Sequence, residues 1–176
     1  MGFLDMYLLV VMVVYIFLAK RFVNWRRWRE YYPTIQFYII CNLLYNFLFY
    51  QHTLWKYRAV TVDWLNHTLI EISFTFFIVP VVLMIYLEYY PKGKVRGVLY
   101  LLVWVAYFSV IEYLFEAKGL FIYENGRNGW WSVLFNIITF IIIKIHFKNA
   151  LAAILISIPI IAVLLMFFHP ALHDLK

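Results

Sequence analysis

The chain has 176 residues, of which 66% are hydrophobic and 14% charged, too little polar surface to enclose the core of a water-soluble domain. Its net charge of +6 sits in short gaps between apolar runs, a distribution that excludes a nucleic-acid footprint and reads as topology signals. The lone cysteine, Cys41, lies inside an apolar run, so no intrachain disulfide can form.

Six apolar runs follow one another, near 4–19, 34–50, 65–87, 97–115, 130–146 and 150–168. About 20 residues of helix cross a hydrocarbon core, so the expected fold is all-α: a single domain, 1–176, of about six short transmembrane helices. The first run follows no basic segment and carries Asp5, unlike a cleavable signal peptide. After it, Phe22–Tyr32 places Trp25, Trp28 and Tyr32 at helical spacing. That stretch reads either as a short interfacial helix or as a loop that sets topology. Pro33 is expected in the first turn of the second helix, and Pro80 and Pro159 are expected to kink the third and sixth. Glu-Tyr-Tyr-Pro occurs at 30–33 and again at 88–91; the flanks do not align, so the echo reads as coincidence. The fifth run, Trp131–Ile143, is short and crosses only if Trp130 and His146 sit at its interfaces; otherwise it is re-entrant.

Lysine and arginine number ten in the odd-numbered gaps and five on the opposite side, which places the odd gaps in the cytoplasm and both termini outside. Trp55, Trp64, Trp130 and Trp131 would then mark the outer headgroup level, and Trp25 and Trp28 the inner one.

Ionisable groups inside apolar helices are costly and mark wet interiors. Asp63, His67 and Glu71 recur every four residues, as do Glu112 and Glu116, and Asn42 and Asn46; each set therefore shares one helix face. With a rise of about 1.5 Å per residue, Asn46, Glu71, Glu112 and Asn136 all fall roughly 6–9 Å inside the outer boundary. They form the expected ligand- or ion-binding set, with His67 and Glu116. Asp63, Asn66, Tyr123 and Arg127 form its expected rim. The glycine-punctuated gap from Lys118 to Gly129 can close over it as a lid, with Lys118 and Arg127 as counter-ions. Each element also has a structural reading: asparagines as interhelical hydrogen-bond glue, His67 as a bonded structural histidine, and Glu112 and Glu116 paired with the loop cations.

Trp25-Arg26-Arg27-Trp28-Arg29-Glu30-Tyr31-Tyr32-Pro33-Thr34, Asn42-Leu43-Leu44-Tyr45-Asn46, Leu65-Asn66-His67-Thr68-Leu69, and the stretch from Ile111-Glu112 through Gly119-Leu120 to Gly129-Trp130-Trp131-Ser132 resemble in combination a family of small multi-pass membrane proteins from spore-forming Gram-positive bacteria. The resemblance covers most of the chain and implies a bacterial cytoplasmic membrane location. It carries over no activity and no catalytic residue.

Three functions remain open on the sequence. An outward-facing pocket would bind or transport a cation, a proton or a polar lipid headgroup, in an oligomer or with a partner membrane subunit. A membrane-embedded enzyme acting on lipid would hold a metal with Asp63, His67, Glu71 and Glu112, although no nucleophile elbow or phosphate loop appears. A structural subunit would use the same polar residues to fix helix register. Binding or transport is the leading expectation, and the residues leave any cofactor or metal unknown.

Overall fold

The computed structural model describes residues 5–58 and 66–168, with side chains from residue 10 onward. The chain is all-α, apart from one small ribbon. Six helical rods make up the described residues: α1 (Asp5–Phe22), α2 (Trp28–Leu48), a composite rod from His67 to Glu88, α5 (Lys94–Ala117), α6 (Gly129–Lys148) and α7 (Ala150–Phe168). The composite rod joins α3 (His67–Ser73) to α4 (Val79–Glu88) through a π-helical turn, Phe74–Ile78.

Four of these rods, His67–Glu88, α5, α6 and α7, are long and apolar enough to cross a membrane. The sequence reading expects six. α1 carries Asp5, Lys20 and Arg21 within its 18 residues, and α2 opens on Arg29 and Glu30 and carries Gln36, Asn42 and Asn46 within its apolar run, which dilutes the apolar character of both. α6 is a full 20-residue helix, so the fifth run is not truncated. Asn128 starts it by accepting hydrogen bonds from the backbone N–H groups of Trp130 and Trp131 at 3.1 and 3.3 Å, satisfying donors that a helix start leaves open.

Phe22–Tyr32 forms no separate helix. Trp25–Arg27 is a single 3₁₀ turn, and α2 begins directly at Trp28. Pro33 therefore lies inside α2, beyond its first turn. The two Glu-Tyr-Tyr-Pro copies sit in different settings, one in the first turns of α2 and one closing α4. Their glutamates nevertheless meet on one cation. Arg27 pairs with Glu30 at 2.6 Å and donates to both carboxylate oxygens of Glu88 at 3.0 Å, while the Tyr31 hydroxyl also donates to Glu88.

The core forms around α4. Val81, Val82, Leu83, Met84, Tyr86 and Leu87 are all buried, this helix being packed by α1, α2 and α6 and, at Tyr86, by Tyr100 and Trp104 of α5. The outer rods behave oppositely. Only Gly97 and Val105 of α5 are buried, and only Ala153 and Phe168 of α7, while Ile16 at 68%, Val95 at 74% and Met166 at 71% stand exposed.

At the end of the molecule where α2, α5 and the composite rod meet their loops, Trp55–Tyr57 (β1) and Phe121–Tyr123 (β2) pair antiparallel, Lys56 opposite Ile122. Sequence periodicity does not signal strands this short. Lys56 and Glu124 form an ion pair of 2.8 Å beside the ribbon. Beyond β2, Asn125 (φ 49°) and Gly126 (φ 83°) turn the chain, closed by the Arg127 N–H donating to the Glu124 carbonyl at 3.1 Å. Two successive left-handed residues are the pattern that Asn-Gly tolerates best, and the turn sends Arg127 back beneath the ribbon.

Candidate functional site

Beneath the ribbon lies a chamber of about 160 Å³, bounded by α1, α2, the composite rod, α5 and α6. Polar groups reach it from four of these elements and from the loop: Asn42 from α2, Glu71 and Thr75 from the composite rod, Glu112 from α5, Asn136 from α6, and Arg127. Trp55, Tyr57 and Phe121 of the ribbon form its roof.

Two clusters organise these groups. In the first, Asn42 donates through Nδ2 to Glu71 Oε1 at 2.9 Å and to Thr75 Oγ1 at 2.8 Å. Glu71 and Thr75 are one turn apart, and the π turn begins between them at Phe74; π turns recur at functional sites because they redirect side chains within a continuous helix. In the second, Arg127 donates to the Ser132 hydroxyl at 2.6 Å, and that hydroxyl donates to Glu112 Oε1. Arg127 itself lies 3.7 Å from Glu112, with side chains only 8% and 16% exposed. The guanidinium also sits 4.2 Å from the ring centroid of Trp55, which stacks on Tyr45 at 4.3 Å. Trp55 is thus a buried wall of the site, where the sequence reading expects a headgroup anchor.

The charges do not balance. Glu112 has Arg127 as its ion partner, whereas no basic side chain lies within ion-pair distance of Glu71 among the described residues. His67, one turn away, does not supply the charge. The Tyr57 backbone N–H donates to His67 Nδ1 at 3.1 Å, so that nitrogen must present a lone pair and the ring is neutral. Asn136 adds a second imbalance: its Nδ2 is buried and has no hydrogen-bond partner. Such groups are rare, since an unmade bond at a buried amide costs about 1–3 kcal/mol.

Of the residues singled out from the sequence, Glu71, Glu112, Asn136 and Arg127 come together in the chamber. Asn46 does not: its amide donates to the Asn42 carbonyl of its own helix at 2.9 Å. Glu116 is exposed near the end of α5, outside the chamber lining. His67 and Asn66 serve local structure, the first bonding the ribbon and the second capping α3 by accepting the Leu69 N–H at 3.0 Å. Tyr123 lies in β2; burial first, and then the Glu112 carboxylate, push its phenol up to about 12 against the opposing hydrogen bond of Ser132. Tyr57, opposite Phe121 in the ribbon, is raised well above the usual tyrosine value, first by burial and then by the nearby charges of Glu71 and Glu112; the roof is therefore neutral at physiological pH. Asp63 lies outside the described residues. Among those described, no three of His, Cys, Asp and Glu gather as metal ligands.

The sequence pattern does not single out Thr75 and Ser132. Both are buried, at 3% and 2% exposure, and a hydroxyl in an apolar run carries no periodic signal. Between α2, α6 and α7 lies a second recess of about 120 Å³, lined mostly by apolar side chains, which shares Tyr38, Asn42 and Phe135 with the chamber. No family model matches the chain, and comparison with curated proteins and with solved structures gives no match.

Proposed function

We propose that this protein is a multi-pass membrane protein that binds or transports a small cation through the chamber beneath the ribbon, with Glu71 as the principal ligand. The membrane reading rests on four rods of spanning length and on the large apolar side chains exposed along α1, α5 and α7. In water so much apolar surface would drive aggregation, whereas in lipid it is the solvated face. α1 and α2 cross as well in this reading, their charges lying at the membrane boundary. The surplus of Lys and Arg in the odd-numbered gaps then puts those gaps inside and the chamber toward the outside. The resemblance to small membrane proteins of spore-forming Gram-positive bacteria belongs to the same proposal and implies the bacterial cytoplasmic membrane.

The observation that carries the function is Glu71, held by an amide and a neutral neighbourhood in a cavity with room for a ligand. A carboxylate in a low-dielectric interior is stable only when its charge is compensated. A cation entering the chamber compensates it, and binding energy comes from a charge that the fold leaves unmatched.

Thermal melting of the detergent-solubilised protein across a panel of monovalent cations tests this. At about 100 times its Kd a ligand stabilises by about 2.7 kcal/mol, a shift of several degrees for a domain of this size. The wild type is expected to show that shift for at least one cation, and Glu71→Gln to lose it while retaining wild-type helix content. A wild type indifferent to every cation would contradict the proposal.

A further inference from the structure

We infer that the cation is organic: a small alkylammonium ion that carries an oxygen acceptor. This rests on the cation reading above and narrows it.

Half of the residues lining the chamber are aromatic. Ring faces attract cations, most effectively those that shed water easily, as alkylammonium ions do. The site already displays this chemistry in the guanidinium of Arg127 over Trp55. Three other lining rings, Tyr15, Tyr38 and Phe115, pair with no second ring and no cation among the described residues, and each contributes to the chamber wall. Tyr38 stands one helical turn before Asn42 on α2 and brings its ring alongside the Glu71 cluster.

The alternatives fit less well. A hard metal ion takes six or more oxygen ligands at short distance, but one oxygen of Glu112 is already engaged by Ser132 and Arg127. Of the two carboxylates lining the chamber, Glu71 is thus the one without an ion partner among the described residues, and a single charge suits a monovalent ion. The volume points the same way: about 160 Å³, against roughly 10–15 Å³ for one water on the same measure, is far more than a bare ion fills. Finally, the orphaned Nδ2 of Asn136 is a donor in search of an acceptor. A hydroxyl or carbonyl oxygen a few bonds from the ammonium would satisfy it.

Isothermal calorimetry on the detergent-solubilised protein with choline, tetramethylammonium, sodium and potassium chlorides reads the prediction directly. Choline is expected to bind at least about tenfold tighter than sodium or potassium. Tyr38→Leu should weaken choline binding by about tenfold while Tyr38→Phe keeps it, because the ring face and not the hydroxyl makes the contact. Asn136→Leu should reduce choline to the affinity of tetramethylammonium, which has no oxygen to offer. Sodium or potassium binding as tightly as choline, still dependent on Glu71, would overturn the organic-cation inference and leave the cation site standing. Heat from none of the four salts, with melting temperature and helix content normal, would overturn both.

Discussion

Asn42 holds Glu71 and Thr75 with one amide nitrogen, so its side chain fixes the carboxylate without neutralising it. Asn42→Leu would leave Glu71 with neither charge partner nor donor. The expected outcome is a melting temperature lowered by several degrees in cation-free buffer, most of which saturating ligand fails to restore because the carboxylate is no longer oriented. Ser132 occupies the corresponding position in the second cluster, between Arg127 and Glu112. Ser132→Ala removes both bonds and should destabilise the protein by about 1–3 kcal/mol, the usual loss when buried polar partners are stranded; equilibrium unfolding in detergent measures it. Asn136 behaves differently. Its amide nitrogen has no partner to lose, so Asn136→Leu should leave stability unchanged or slightly raised. A loss above 1 kcal/mol there would mean that the amide already serves the fold.

At the scale of elements, the site depends on a ribbon of three residues per strand that aims Arg127 through the Asn125-Gly126 turn. Gly126 has φ 83°, a conformation that costs an L-residue roughly 1–2 kcal/mol. Gly126→Ala should therefore destabilise by about that amount and weaken cation binding, a combination visible when melting and calorimetry are run on the same variant. The far end of the bundle has its own polar lock. Thr34 Oγ1 lies 3.0 Å from His146 Nδ1, both side chains are buried, and the imidazole stacks on Phe37 at 4.2 Å. This pair marks what sequence alone could and could not reveal. The apolar runs gave five of the rods to within three residues, because helix length and hydropathy are local properties, whereas α2 starts six residues before its run. Glu71, Glu112 and Asn136 were legible as charged or amide intrusions into those runs. The pairing of Glu71 with Asn42 and of Glu112 with Ser132 was fixed by helix rotation and packing, which no periodicity records. Asn46 and Asn42 share a helix face, yet only Asn42 meets the composite rod, since the Asn46 amide bonds back to its own backbone.

For the whole molecule, apolar side chains both fill the core around α4 and cover α1, α5 and α7, while a few polar groups gather in the chamber. If lipid is the solvent and the cation bias sets orientation, the Gly126 turn and the Lys94 turn lie on opposite sides of the membrane. Cysteines placed singly at these positions in a Cys41→Ala background should react with a membrane-impermeant maleimide on intact cells at Gly126 and only after lysis at Lys94. Labelling of both on intact cells would reverse this arrangement. Cation binding in the chamber is read by calorimetric titration of choline into wild type, Glu71→Gln and Glu116→Gln. Glu116 is an exposed carboxylate outside the chamber, so its substitution controls for a general loss of negative charge. A single site is expected in wild type and in Glu116→Gln, and none in Glu71→Gln. Equal binding by all three proteins would contradict a site at Glu71.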